Sequence, residues 1–268
     1  MRALFTPRRV SSASIILAMW CAITPAAWAQ WTKIPETGPR TTDGKSNLSA
    51  PAPKRPDGTP DLSGVWTGPG GRFVENFAAD LKPGEVSYQP WAKALVDERA
   101  GGARERENPT TNCLPAGVPR INVVPPPWRI VQSDGFIAIL YESGNLWRQI
   151  FMDGREPVRD PNPSWLGYSV GRWDGATLVV ETIGFNGKAW LDQRGNPTTE
   201  ALRVTERFHR RDFGHMDLQI TIDDPKAYTR PWTVTVPVTL QTGAGAQLLE
   251  NVCENNRDLE NLPGERPR

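Results

Sequence analysis

No P-loop, no G-x-G-x-x-G dinucleotide fingerprint and no H-E-x-x-H pair occurs in this chain. Nucleotide-driven chemistry, a nicotinamide or flavin cofactor and a helix-borne zinc site therefore have no signature to rest on. Histidine is scarce, with His209 and His215 the only two in 268 residues. No cysteine sits in a motif that would make it a nucleophile. No cofactor and no metal is expected on these grounds. Positive charge is not in excess either: 31 Lys and Arg face 30 Asp and Glu. A nucleic-acid protein would show a basic face or stripe, so nucleic acid is not an expected partner.

Long apolar runs are missing, with one exception at the N-terminus. Arg2, Arg8 and Arg9 precede a mostly apolar run from Ala13 to Ala27, and Ala27-Trp28-Ala29 supplies an A-x-A cleavage signal. Thr24 and Pro25 interrupt the run, which is too short to span a bilayer. The pattern is that of a signal peptide over residues 1–29, cut after Ala29. The residues after Arg8-Arg9 do not suit twin-arginine export, and Trp20 is too bulky to precede a lipidated Cys21. A periplasmic or secreted product without stable membrane insertion is expected. Removing residues 1–29 takes three arginines and no acid, leaving 28 basic and 30 acidic side chains, a net charge of −2. Only Cys113 and Cys253 then remain, and an even pair in an oxidising compartment predicts a disulfide.

What is present is turn chemistry between short apolar segments. Residues 30–60 are rich in Pro, Thr, Gly, Ser and Lys and read as an extended leader. Asp61 to Trp66 is strand-like, Pro90 can start a helix reaching to about residue 101, and five prolines between Asn112 and Trp128 make an unpaired connection. From Trp128 onward strands alternate with turns: WRIVQ, FIAILYE, LWRQIFM, YSVGRW, TLVVETI, ALRVTERFHR, HMDLQITI, WTVTVPVTL and AQLLENV. With no helical crossovers and no fixed repeat, the reading is all-β. One domain over 61–258 forms an antiparallel meander of about eight or nine strands, closed into a lipocalin-like barrel with one covering helix. A β-sandwich is the alternative. Residues 259–268 form a tail.

Parity along the strands singles out candidate residues. Matching apolar faces of the strands around Asp212 sets His209 opposite His215 on the polar face, where a solvated hairpin tip explains them better than zinc. Glu206, in contrast, falls among Leu202, Val204 and Phe208, and a buried carboxylate needs a partner. Arg148 shares a face with Leu146 and Ile150, Glu142 with Phe136 and Leu140, and Glu181 with Val179 and Ile183. Inward-pointing Glu206, Glu142, Glu181 and Arg148, with His215 or Tyr168, are the groups that acid/base chemistry would use. A buried Glu–Arg network that sets the register is the competing account. The long link Gly184 to Glu200 places Asn186, Trp190, Asp192 and Glu200 at a barrel mouth, and the loop after Ile222 adds Tyr228 and Trp232 as a ligand rim.

The blocks PSWLGYSVGRWDGATLVVETIGFN and TEALRVTERFHRRDFGHMDLQITIDDPKAYTRPW resemble a family of exported bacterial proteins of uncharacterised activity. The resemblance runs from about Pro60 to Asp258 and implies a secreted or periplasmic location, with no substrate or cofactor to carry over. Ala176 stands where such sequences carry an acid, and Thr198 where they carry a histidine. Three function classes follow. The first is a barrel binding a small polar-aromatic or glycosidic molecule in its lumen or mouth. The second is a cofactor-independent hydrolase, lyase or isomerase using buried carboxylates. The third is a structural envelope protein without a ligand.

Overall fold

A computed structural model describes residues 38–102 and 104–253. The segment read as a signal peptide, the first part of the expected leader and the expected tail lie outside the described residues. Nine strands form one closed barrel: β1 Gly64–Thr67, β2 Trp128–Gln132, β3 Phe136–Tyr141, β4 Leu146–Phe151, β5 Tyr168–Asp174, β6 Thr177–Ile183, β7 Arg203–Arg210, β8 His215–Asp223 and β9 Trp232–Leu240. Two helices, α1 Gly71–Glu75 and α2 Pro90–Arg99, sit in the long insertion between β1 and β2. Among the described residues no helix is long and apolar enough to cross a membrane.

Period-two patterning builds the wall. In β8, Met216, Leu218, Ile220 and Ile222 are all fully buried, and Trp232, Val234, Val236, Val238 and Leu240 face inward from β9. Trp66, Trp128, Phe208 and the isoleucines of β2 to β4 fill the interior from the other strands. Pro237, which has no N–H to donate, falls in the part of β9 that the short β1 does not reach, since β1 pairs only with Thr239 and Leu240.

The closed ring imposes a rule that nine strands in an all-antiparallel meander cannot obey. Alternating strand directions close only with an even number of strands, so a nine-stranded ring needs a parallel pair. That pair is β4 and β5, joined through Ile150↔Ser169 and Phe151↔Val170 alone. Residues 152–167 carry the chain back along the barrel so that β5 starts at the same end as β4.

Two strand readings need correction. AQLLENV is not a strand: Gly243–Gly245 is a 3-10 turn, and Leu249 and Val252 are 66% and 63% exposed. Its apolar residues have no face to bury, and the stretch Gly64–Thr67 closes the ring instead. The β7–β8 register is centred one residue later than expected, so His209 opposes Asp217, and His215 pairs across to Thr239 of β9. The cause is a four-residue turn. Asp212 Oδ1 accepts from Gly214 N at 3.1 Å and from His215 N at 2.8 Å, drawing the chain around its side chain. Moving the centre by one residue shifts the pairing by two, which preserves every inward and outward assignment.

At one barrel end lie the starts of β5, β7 and β9 and the ends of β6 and β8, and here the insertion 68–127 folds over the mouth. Its 3-10 turn Arg120–Asn122 is fully buried. Gly68 permits the approach: a Cβ there would lie 2.3 Å from Asn122 O and 2.8 Å from Val123 Cα, both backbone atoms. Gly68→Ala is therefore expected to push the plug off the mouth and cost about 1–3 kcal/mol, the range for overpacking. A denaturant melt showing wild-type stability would refute this seating.

Candidate functional site

Inside the barrel, beneath the plug, six polar side chains form one network. Arg148 of β4 is 2% exposed and Glu206 of β7 fully buried. Arg148 Nη2 donates to Glu206 Oε2 at 2.5 Å and to Thr182 Oγ1 at 2.7 Å, and its Nε to Ser169 Oγ at 2.9 Å. Asn122, inserted from the plug, donates to Glu206 Oε1 at 2.6 Å and accepts from the Tyr141 hydroxyl at 2.9 Å. Burial pushes the Tyr141 hydroxyl pKa well up, so it stays protonated as that donor. Beside Glu206, the Arg148 guanidinium is held more firmly protonated than usual, despite its burial. Arg148 Nη1 has no hydrogen-bond partner among the described residues. For a substrate to reach Glu206 or Arg148, the Arg120–Asn122 turn would have to leave the mouth.

The inward placement of Glu206 and Arg148 agrees with the parity reading; that of Glu142 and Glu181 does not. Glu142 lies just past β3, and its Oε2 accepts from Leu249 N at 2.9 Å on the outer surface. In β3 the isoleucines and Tyr141 point in, and Phe136 and Leu140 point out at 39% and 37% exposure. Both sets are apolar, so hydrophobicity alone could not choose between them. Glu181 faces outward with ion pairs to Arg172 at 2.9 Å and Arg203 at 3.9 Å, while Leu178, Val180 and Thr182 face the core. Tyr168 also faces out, its ring 5.2 Å from Phe151. His215 stays at the hairpin turn, its Nδ1 2.8 Å from Asp212 Oδ1. These six candidates therefore divide into one buried pair and four separate surface positions.

Gly167 to Gly171 spells G-x-S-x-G. A nucleophile elbow needs its serine on an exposed strand-to-helix turn. Ser169 instead lies within β5, is 1% exposed, and accepts the Arg148 Nε hydrogen bond. The letters match without the geometry.

The mouth loops supply most of the expected ligand rim, but as plug rather than rim. Trp190, Asp192, Tyr228 and Trp232 are all at most 5% exposed. Asp192 Oδ2 accepts from Phe77 N at 2.9 Å and from Asn196 Nδ2 at 2.5 Å, and Tyr88 donates to Asn196 Oδ1 at 2.7 Å. Burial raises the Asp192 pKa and, with Asp192 nearby, pushes the Tyr88 hydroxyl up to about 12. Tyr228 donates to Pro197 O at 2.8 Å. Thr198, where the resemblance implies histidine, is buried and donates to Ala189 O at 2.8 Å. Asn186 is half-buried, and Glu200 is exposed and paired with Lys226 at 2.5 Å.

Outside this plug lies a cleft of about 520 Å³ between α2 and the Trp190–Arg194 turn. Arg99 stacks over the Trp190 ring at 3.9 Å and donates to Gly195 O at 2.7 Å. Asn108, Gln193 and Arg194 continue the wall, with Glu75, Asp97 and Glu105 as its acids. Sequence reasoning found Trp190 but missed the α2 and Asn108 side, because the contact joins segments about 90 residues apart and no local pattern encodes it.

Fold and site together define a nine-stranded barrel with a packed interior, a plugged mouth and a polar cleft on the plug. No family model, no curated protein and no solved structure matches the chain. Cys113 and Cys253 are disulfide-bonded, with Cα atoms 5.4 Å apart. Among the described residues no three His, Cys, Asp or Glu side chains gather as a metal cage.

Proposed function

We propose that this chain is an exported binding protein that holds a small polar-aromatic or glycosidic molecule in the cleft at its plugged mouth. The observation that carries the reading is the cleft itself. Its volume of about 520 Å³ suits a small organic ligand, and its wall offers an aromatic-guanidinium stack with polar groups of both signs. The lumen is occupied by core side chains and the Glu206–Arg148 network, which favours the mouth over the interior. The disulfide supports the oxidising compartment that export would supply.

The test is a thermal-shift screen of small glycosides and polar aromatics on the mature protein and on Gln193→Trp. Gln193 is exposed and lines the cleft, so tryptophan there fills the space without disturbing the core. Ligands that stabilise the wild type should give no shift with Gln193→Trp, whose own melting temperature should be unchanged. Ligand shifts that persist in this variant would place binding elsewhere.

A further inference from the structure

The Trp190 ring in the wall of the cleft is not free to stack a sugar. It is 5% exposed, and the Arg99 guanidinium lies over it at 3.9 Å. Gly195 holds that guanidinium in place. Arg99 Nη1 donates to Gly195 O at 2.7 Å, and the arginine stem fills the space beside Gly195, where a Cβ would lie 2.3 Å from Arg99 Cδ. Arg99 is half-buried and lines the cleft, so the face turned away from Trp190 borders the open space. A fixed, planar cation with one face on a ring and the other uncovered is a seat for a second ring.

Asn108 is 3% exposed and lines the same cleft. Its Oδ1 accepts from Thr110 N at 3.2 Å, Thr110 Oγ1 at 3.0 Å and Arg120 Nη1 at 3.0 Å, and its backbone N–H donates to Glu105 O at 2.9 Å. Thr110 N and Arg120 can only donate, which fixes the oxygen toward them and leaves Nδ2 on the other side. Nδ2 has no acceptor among the described residues, and unlike the Nε atoms of Arg99 and Arg120 it is not sealed from solvent. The cleft thus offers an unused N–H donor as well as a flat cationic face.

The buried charges already have opposite charges near them. Burial, joined at Arg99 by Arg104, lowers the pKa of Arg99 and Arg120; Asp192 works against this at Arg120, and Glu107 and Glu98 at Arg99. In the wall itself Glu75, Asp97 and Glu105 outnumber Arg99 and Arg194, so an anion gains little. An ammonium group only donates and cannot accept from Asn108. We infer that the ligand of this cleft is a neutral aryl carbonyl compound, such as an aromatic amide or ester. Its ring lies on the open face of Arg99, and its carbonyl oxygen accepts from Asn108 Nδ2. The inference rests on the mouth-binding reading above and narrows it to this class.

Isothermal titration calorimetry of the mature protein with benzamide, cyclohexanecarboxamide, benzoate and methyl β-glucoside tests this. Benzamide should bind about three- to fivefold tighter than its saturated analogue, the size of an exposed cation–π contact, and tighter than benzoate. Arg99→Lys keeps the charge but removes the planar face, and should bring the ratio of the two amides close to one. Because that ratio compares two ligands on one protein, a general loosening of the fold does not mimic the change. Asn108→Asp keeps an oxygen for Thr110 and Arg120 and removes the free N–H; both amides should weaken about tenfold with their ratio retained. Equal or tighter binding of cyclohexanecarboxamide, benzoate or the glucoside, lost in Gln193→Trp, would overturn the neutral aryl ligand and leave the mouth-binding reading standing. Benzamide binding that survives in Gln193→Trp would overturn both. No binding by any probe, or amide affinities that Arg99→Lys and Asn108→Asp leave unchanged, would overturn the inference alone.

Discussion

Glu206→Gln is expected to lower the unfolding free energy by roughly 3–5 kcal/mol, as removal of one partner from a buried ion pair does. The charge of Arg148, 2% exposed, would lose its ion-pair partner in the interior. The amide adds a second conflict. If its oxygen faces Arg148 Nη2, its NH2 faces Asn122 Nδ2, which now donates to the carboxylate at 2.6 Å. Turning Asn122 over to accept would make the Tyr141 hydroxyl accept from its NH2 and take away the oxygen to which that hydroxyl now donates. One substitution thus disturbs strands β3, β4 and β7 and the plug at once. Urea denaturation measures the loss. A near-native midpoint with impaired turnover or ligand affinity would instead favour chemistry at Glu206.

Breaking the Cys113–Cys253 bond should have an effect of similar size. The cysteines are 140 residues apart in sequence, and closing so long a loop restricts the unfolded chain by up to about 4–5 kcal/mol. The native side should change little. The segment after β9 is held independently by Arg129 Nη2 to Ala246 O at 2.9 Å, Leu249 N to Glu142 at 2.9 Å and two Asn145–Asn251 hydrogen bonds at 3.2 Å. Cys253 is exposed, so a thiol reductant reaches the bond. Melts of the mature protein with and without reductant, and of Cys113→Ser/Cys253→Ser, should show the same drop. An unchanged melting temperature would contradict the loop-entropy account.

How far the sequence could be read follows from which contacts are local. Strand limits from β2 to β9 were legible because alternation and turn residues lie within a few positions of each other. The inward carboxylate at Glu206 was legible because its neighbours in β7 have a clear apolar parity. In β3 and β6 both faces are apolar enough to pass, so parity cannot place Glu142 or Glu181. The plug, the β1 closure and the far wall of the cleft were out of reach. Each depends on a segment meeting a partner dozens of residues away, through backbone approach at Gly68 or a side-chain hydrogen bond at Asn108.

The parallel seam has a mechanical meaning. A closed barrel is protected from strand addition only while every seam holds, and β4–β5, like β1–β9, holds by two residue pairs whereas β8–β9 has eight. Unzipping should therefore begin at one of these two short seams, and at the parallel one it would show as early amide exchange of Ile150, Phe151, Ser169 and Val170 under native conditions. Opening turns a ring into a sheet with two bare edges. One of them borders an outer surface where Trp147 is 66% exposed, beside Leu140 and Phe136. The join that lets nine strands form a ring is thus also the line along which another extended chain would graft itself onto the protein.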